Sequence, residues 1–121
     1  MAKTLNRKNS AAALAPVADY FKMLSEVSRL QILNCLKSGE MNVSQLSEET
    51  GLGQANLSKH LKILTQAGIL NRKPVGTSVY YEISDPMIFD LCELVCDRLS
   101  DRMQEQVDRL NQLKALGTLV K

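Results

Sequence analysis

Tryptophan is absent from this chain of 121 residues, and aromatic residues make up only 4% of it. A core without large rings must be built from Leu, Ile, Val, Met and Ala, which favours packed helices over a β-sandwich. Long apolar runs are missing too. None approaches the roughly 20 residues needed to span a bilayer. The start, residues 1–9, is polar and basic and leads into Ser10-Ala-Ala-Ala-Leu-Ala-Pro, too short and too weakly apolar for a secretory core. No membrane partner is expected, and the cytoplasm is the expected location. Cysteine is scarce and odd in number. Cys35, Cys92 and Cys96 cannot form a disulfide framework and should rest as thiols. The chain also lacks a phosphate-cradling Gly loop, a Ser/His/Asp set and a carboxylate pair beside a base. An enzyme is therefore not expected, nor a cofactor.

Hydrophobic residues account for 45% of the chain, enough for one core but not two. The net charge is only +2, so its distribution matters more than its size. Between Glu49 and Glu82 there is no acid, while Lys59, Lys62, Arg72 and Lys73 give that stretch four positive charges, with His60 besides. From Ser84 to Leu113 the balance reverses, with Asp85, Asp90, Glu93, Asp97, Asp101, Glu105 and Asp108 against Arg98, Arg102 and Arg109. A polyanion would sit on the basic block. The late acids recur with Arg at helical spacing and read as surface pairs.

Periodicity divides the chain into six elements. Leu14, Val17, Ala18, Phe21 and Leu24 recur at helical spacing, with Pro16 suited to a first turn. Ser25 is a plausible cap for a second helix, whose buried face is Leu30, Ile32, Leu33 and Leu36 and which Gly39 stops. Residues 38–42 read as a turn. A short helix follows over 43–50, then the break Gly51-Leu52-Gly53. A fourth helix over 54–67 has Leu57, Leu61 and Leu64 as its inward stripe. The period then falls to 2, and two β-rich runs around Gly76 make a hairpin with a polar tip. Asp85-Pro86 opens a last helix to about residue 114, with Leu91, Val95, Leu99, Met103, Val107, Leu110 and Leu113 along it. That helix is longer than one small core needs, so it is expected to carry a subunit interface. The reading is mainly α with a small β-hairpin wing, a winged helix-turn-helix of order α-α-α-α-β-β-α. Residues 1–9 would be a flexible basic arm, 10–114 the DNA-binding and dimerisation domain and 115–121 a C-terminal tail.

Two helices joined by a short Gly turn make a helix-turn-helix, whose second helix reads the major groove. Outside the Leu stripe that helix carries Gln54, Asn56, Ser58, Lys59, His60 and Lys62. Gln and Asn can pair bidentately with adenine, and Lys with guanine or phosphate. Arg72, Lys73, Thr77 and Ser78 on the hairpin would lie along the flanking backbone or minor groove. A winged-helix module that binds protein should instead expose apolar residues at those positions. Double-stranded operator DNA is the expected partner.

The runs Phe21-Lys-Met-Leu-Ser-Glu-Val-Ser-Arg-Leu-Gln-Ile-Leu, Leu57-Ser-Lys-His-Leu-Lys-Ile-Leu-Thr-Gln-Ala-Gly-Ile-Leu and Gly76-Thr-Ser-Val-Tyr-Tyr-Glu-Ile resemble the ArsR/SmtB family of bacterial winged-helix repressors, over about residues 14–100. The resemblance implies a homodimer built from the first and last helices, a recognition helix at 54–67 and a wing at 72–81. It also implies release from DNA when an effector binds. Neither familiar metal site of the family has its ligands here. The stretch 40–46 holds no thiol for a Cys-x-Cys pair, and the last helix has no His, the only one being His60.

The thiols remain. Cys92 and Cys96, four apart, share one face of the last helix, where a bond between them would be strained. Three readings stay open: inert core thiols, a redox or persulfide switch, or trivalent arsenic or a soft metal held by Cys. The switch is similar to the arrangement in family members that use one Cys on the second helix and one on the last. The effector would then be a small oxidant, a sulfur species or arsenite.

Overall fold

The computed structural model describes residues 7–120. Its elements are α1 (Arg7–Met23), α2 (Val27–Leu36), β1 (Met41–Asn42), α3 (Val43–Thr50), α4 (Gln54–Gln66), β2 (Leu70–Val75), β3 (Ser78–Ile83) and α5 (Met87–Val120). Most of the expected basic arm, residues 1–6, lies outside the described residues, and Arg7–Asn9 belong to α1. The chain divides into two compact units, one ending at Asp85 and the other consisting of α5 and its approach.

The first unit is organised by leucines. On α4, Leu57, Leu61 and Leu64 are at most 1% exposed. They recur at i, i+4 and i+7, which places them on one side of the helix. Ile32, Leu33 and Leu36 of α2 and Leu46 of α3 are also buried, and α2, α3 and α4 pack on one another. Ile69 and Leu70, also buried, follow a Schellman ending of α4. Ile69 N–H donates to the Leu64 carbonyl and Gly68 N–H to that of Thr65, with Gly68 at φ 80°. Glycine takes that left-handed turn without a Cβ clash.

The sheet has three antiparallel strands in the order β1-β3-β2, one more than the hairpin expected. Met41 and Asn42 look like a turn by composition, yet they pair with Tyr81 and Tyr80. A strand of two residues is too short to carry a period, so only the pairing reveals it. Between β2 and β3 the register runs from Leu70 opposite Ile83 to Val75 opposite Ser78. The loop is the two residues Gly76-Thr77, with Gly76 at φ 62°, a length that suits a tight hairpin turn.

Three helix boundaries differ from the expectations. The first helix begins at Arg7, so Pro16 lies inside it and removes the bond to the carbonyl four residues back. Ser25 does not cap α2. Its hydroxyl donates to the Lys22 carbonyl at 2.8 Å and closes the end of α1, while Glu26 occupies the N-cap position. The last helix continues to Val120, so residues 115–120 are helical, not a separate tail. At 1.5 Å per residue α5 is about 50 Å long.

Leu61→Ala should lower stability by about 2–5 kcal/mol in urea unfolding, through lost burial and the cavity left behind. Lys62→Ala, one residue away on the exposed side, should stay within about 0.5 kcal/mol. Equal effects would remove the asymmetry on which this fold is built.

Candidate nucleic-acid interface

The candidate interface begins with the cap of α3. The Asn42 side chain accepts from Gln45 N–H at 2.8 Å, and the Gln45 side chain accepts from Asn42 N–H at 2.9 Å. This reciprocal capping box satisfies two donors that the first turn would leave open. Asn42 also ends β1, so one residue ties the sheet to the helix-turn-helix. The other end of α3 is fixed by side chains as well. Thr50 Oγ1 donates to the Leu46 carbonyl at 2.6 Å and accepts from Leu52 N–H at 3.2 Å. Ser47 Oγ donates to the Leu52 carbonyl at 2.8 Å. Gly51 sits at φ 74°. A left-handed glycine and three local bonds therefore set the angle at which α4 leaves α3.

The N-cap of α4 is Gly53, with no side-chain capping bond. The N–H groups of its first turn are left to other acceptors, a disposition suited to phosphate. Gln54, Asn56, Ser58, Lys59 and Lys62 are all exposed on this helix. His60 is not. It is 4% exposed, and its Nδ1 accepts from Arg29 Nε at 3.4 Å and lies 3.6 Å from Glu26 Oε2. The placement of His60 among the reading residues is therefore corrected. Position 60 follows Leu57 by three and precedes Leu64 by four, so it falls inside a buried stripe wider than three leucines alone define. Arg29, at 8% exposure, holds the other side of that contact. Its Nη1 donates to the Met23 carbonyl at 3.4 Å and its Nη2 meets Glu26 at 3.3 Å. Nothing in the local pattern of α2 or α4 signals this cluster, because His60 and Arg29 are 31 residues apart.

On the wing, Arg72 and Thr77 are exposed and Ser78 is half-buried. Lys73 is exposed but already engaged. Its ammonium lies 3.0 Å from Glu40 and 3.4 Å from Glu82. Hydrogen bonding to Glu40 and the charges of Glu40 and Glu82 push its pKa above the usual lysine range. The acid-free character of the segment is thus local to the sequence. Folding brings Glu40, 33 residues away, and Glu82 from the facing strand to the base of the wing. That leaves Arg72 as the cation of this hairpin without a carboxylate at its side among these contacts.

A helix-turn-helix with a polar second helix, followed by a hairpin, is now in view, and comparison with known proteins decides its kinship. The family model for bacterial regulatory proteins of the arsR family matches residues 26–72. Rv0081 of Mycobacterium tuberculosis, a transcriptional regulator of the helix-turn-helix type, is 31% identical over 84% of this chain and 90% of its own. The chain belongs to the ArsR family. The crystal structure of Rv0081 matches this fold with a TM-score of 0.69 at 30% identity, over 74% of this chain and 91% of that one. The homodimeric winged helix-turn-helix DNA-binding domain of Mb0332 from Mycobacterium bovis matches at TM-score 0.68 and 33% identity, over 84% and 95%. The transcriptional repressor SdpR of Bacillus subtilis is 31% identical over 58% of this chain and 78% of its own. The relatives are transcriptional regulators, so this ArsR-family chain is a regulator and not an enzyme.

The three thiols of this ArsR-family chain occupy different settings. Cys35, in the first unit, is half-buried; on α5, Cys92 is half-buried and Cys96 exposed. Burial, and then the charge of Glu49, push the Cys35 thiol above its usual pKa. That is the direction opposite to activation, because the thiolate is the nucleophile.

Cys96 should therefore react with iodoacetamide at neutral pH well before Cys35, as read by mass spectrometry of partly alkylated protein. Glu49→Gln removes a charge that raises the Cys35 pKa. It should shift the alkylation profile of Cys35 toward lower pH and leave that of Cys96 in place. Cys35 reacting first would contradict this placement.

Proposed function

We propose that this chain is a homodimeric, sequence-specific transcriptional repressor that reads operator DNA with α4 and grips the flanking backbone with the β2–β3 wing. One observation carries the reading: the exposed side of α4 presents Gln54, Asn56, Ser58, Lys59 and Lys62 with no carboxylate among them, on a helix of uncapped N-terminus. Gln54 and Asn56, near the end that enters the groove, are placed to read base edges. Lys59, Lys62 and Arg72 supply phosphate contacts, with Thr77 and Ser78 at the wing tip. Lys73, held by two carboxylates, contributes less than Arg72. A winged helix that docked protein would expose large apolar side chains here, whereas the one apolar residue on this face is the small Ala55.

Dimerisation is supported by apolar side chains left exposed on each unit. On α1 these include Leu14, Val17 and Phe21; on α5 they include Val95, Leu99, Met103, Val107 and Leu110. Such strips on a small protein mark surfaces that another chain covers. The effector reading is thiol chemistry at Cys92 and Cys96, an oxidant or sulfur species modifying the more accessible Cys96. Cys96 lies beside Val95 on the α5 strip and is open to reagent when the subunits separate, so a polar adduct formed there would oppose their reassociation and with it the hold on DNA. A second reading rests on the same pair: two thiols four residues apart share a helix face and form part of a trigonal site for trivalent arsenic or another soft metal.

Mobility shifts over a salt series test the DNA reading. Lys59→Ala and Arg72→Ala should weaken binding on every duplex and each lower the salt slope by about 1, whereas Gln54→Ala should relax sequence preference. Lys73→Ala should change the slope less than Arg72→Ala. No shift at low salt would sink the reading. Mild peroxide or polysulfide should reduce operator affinity in the wild type but not in Cys96→Ser. An arsenite titration followed by thiolate absorbance separates the soft-metal reading from it.

A further inference from the structure

Among the described residues of the first unit, Arg29 and His60 are the buried polar side chains that the DNA-reading face leaves unexplained, and the half-exposed Glu26 lies against both. Arg29 is nine-tenths buried, and each arm of its guanidinium goes to a different place. Nη1 donates to the carbonyl of Met23, the last residue of α1; Nη2 pairs with Glu26, the N-cap of α2; Nε donates to His60 on α4. A guanidinium is planar, so three fixed directions hold three helices at once.

Burying an arginine and a histidine is a poor way to gain stability, since apolar residues of similar volume often serve as well or better. What such groups supply is direction. Leu57, Leu61 and Leu64 drive α4 onto the core, but apolar packing tolerates small rotations and slides more readily than a hydrogen bond does. A small rotation of α4 would move Gln54 and Asn56 off the base edges they are placed to read.

We infer that Glu26, Arg29 and His60 form a strut that sets the angle of α4 against α1 and α2, making Arg29 and His60 positioning residues for DNA reading. The inference rests on α4 being the reading helix, as proposed above. It adds that His60, though it touches no DNA, is needed for sequence discrimination. It also links α1, whose exposed apolar side would meet a second copy, to α4 through one side chain. In a dimer that link fixes the separation of the two reading helices and hence the half-site spacing.

The experiment compares the wild-type chain with H60N, H60L and the double variant R29M/H60L. The DNA probes are a duplex selected by the wild type from a random library, the same duplex with one base pair inserted at its centre, and poly(dI-dC). Asparagine keeps an acceptor near the place of Nδ1. The double variant replaces the buried Arg29–His60 pair with apolar groups, so no cation is stranded. Its melting temperature should stay within about 4–8 °C of the wild type. Its preference for the selected duplex over poly(dI-dC) should fall about tenfold or more, and its penalty for the inserted base pair should shrink. H60N should remain close to the wild type on all three probes. Retention of full discrimination by the folded double variant overturns the inference, as does loss in H60N equal to that in H60L. Collapse of the double variant to an unfolded chain also overturns it, by making the cluster a stability element. If the wild type itself selects no duplex, the DNA reading fails first and the strut has no reading helix to position.

Discussion

Burial of Leu57, Leu61 and Leu64 is the constraint on which the rest of this molecule depends. All three are essentially solvent-free, and a helix that commits one side to a core has no freedom over what the other side presents. Gln54, Asn56, Ser58, Lys59 and Lys62 are exposed because those leucines are not. At about 25 cal/mol per Å² of apolar surface removed from water, fully burying a leucine contributes about 1.5–3 kcal/mol. Three on one helix outweigh the modest helix propensity of Asn, Ser and His on the same thirteen-residue segment.

Local chemistry then determines how that helix is aimed. The Asn42–Gln45 capping box, the left-handed Gly51 and the hydroxyls of Ser47 and Thr50 define the entry and exit of α3 within a dozen residues. Downstream, the Schellman ending at Gly68 turns the chain straight into β2, whose first residue is buried. Helix α4 is thus bounded at both ends by glycine turns whose backbone geometry few other residues adopt cheaply. In an ArsR-family protein these short devices place a polar helix and a hairpin on one small scaffold, with α5 a separate unit that exposes many apolar and charged residues.

Electrostatics separates the carboxylate-paired cation of the wing from its neighbour. Lys73 and Arg72 are neighbours in sequence on the same strand, yet alternation sends them to opposite faces of the sheet. Lys73 meets Glu40 and Glu82, while Arg72 faces away from them. The same sorting applies to the thiols. Burial, and then the charge of Glu49, push the Cys35 thiol above its usual pKa, whereas Cys96 is exposed. Composition alone cannot make either distinction, because it counts charges and thiols without their surroundings.

Much of the fold was legible in the sequence by itself. The helix-turn-helix boundaries at 43–50 and 54–66, the leucine stripe and the Gly76 hairpin follow from period, turn residues and burial, which are local quantities. The exposed polar face of α4 was legible for the same reason. Other features were decided only by tertiary structure. Strand β1 is two residues long and exists through its partners Tyr80 and Tyr81. His60 looks like a DNA ligand beside Lys59 until Arg29, 31 residues earlier, is seen to hold it in the core. Lys73 looks like a free wing cation until Glu40 arrives from 33 residues away. Short-range order follows from the chain's own periodicity. Which polar groups face solvent and which face one another depends on contacts between distant segments, and no local pattern encodes those.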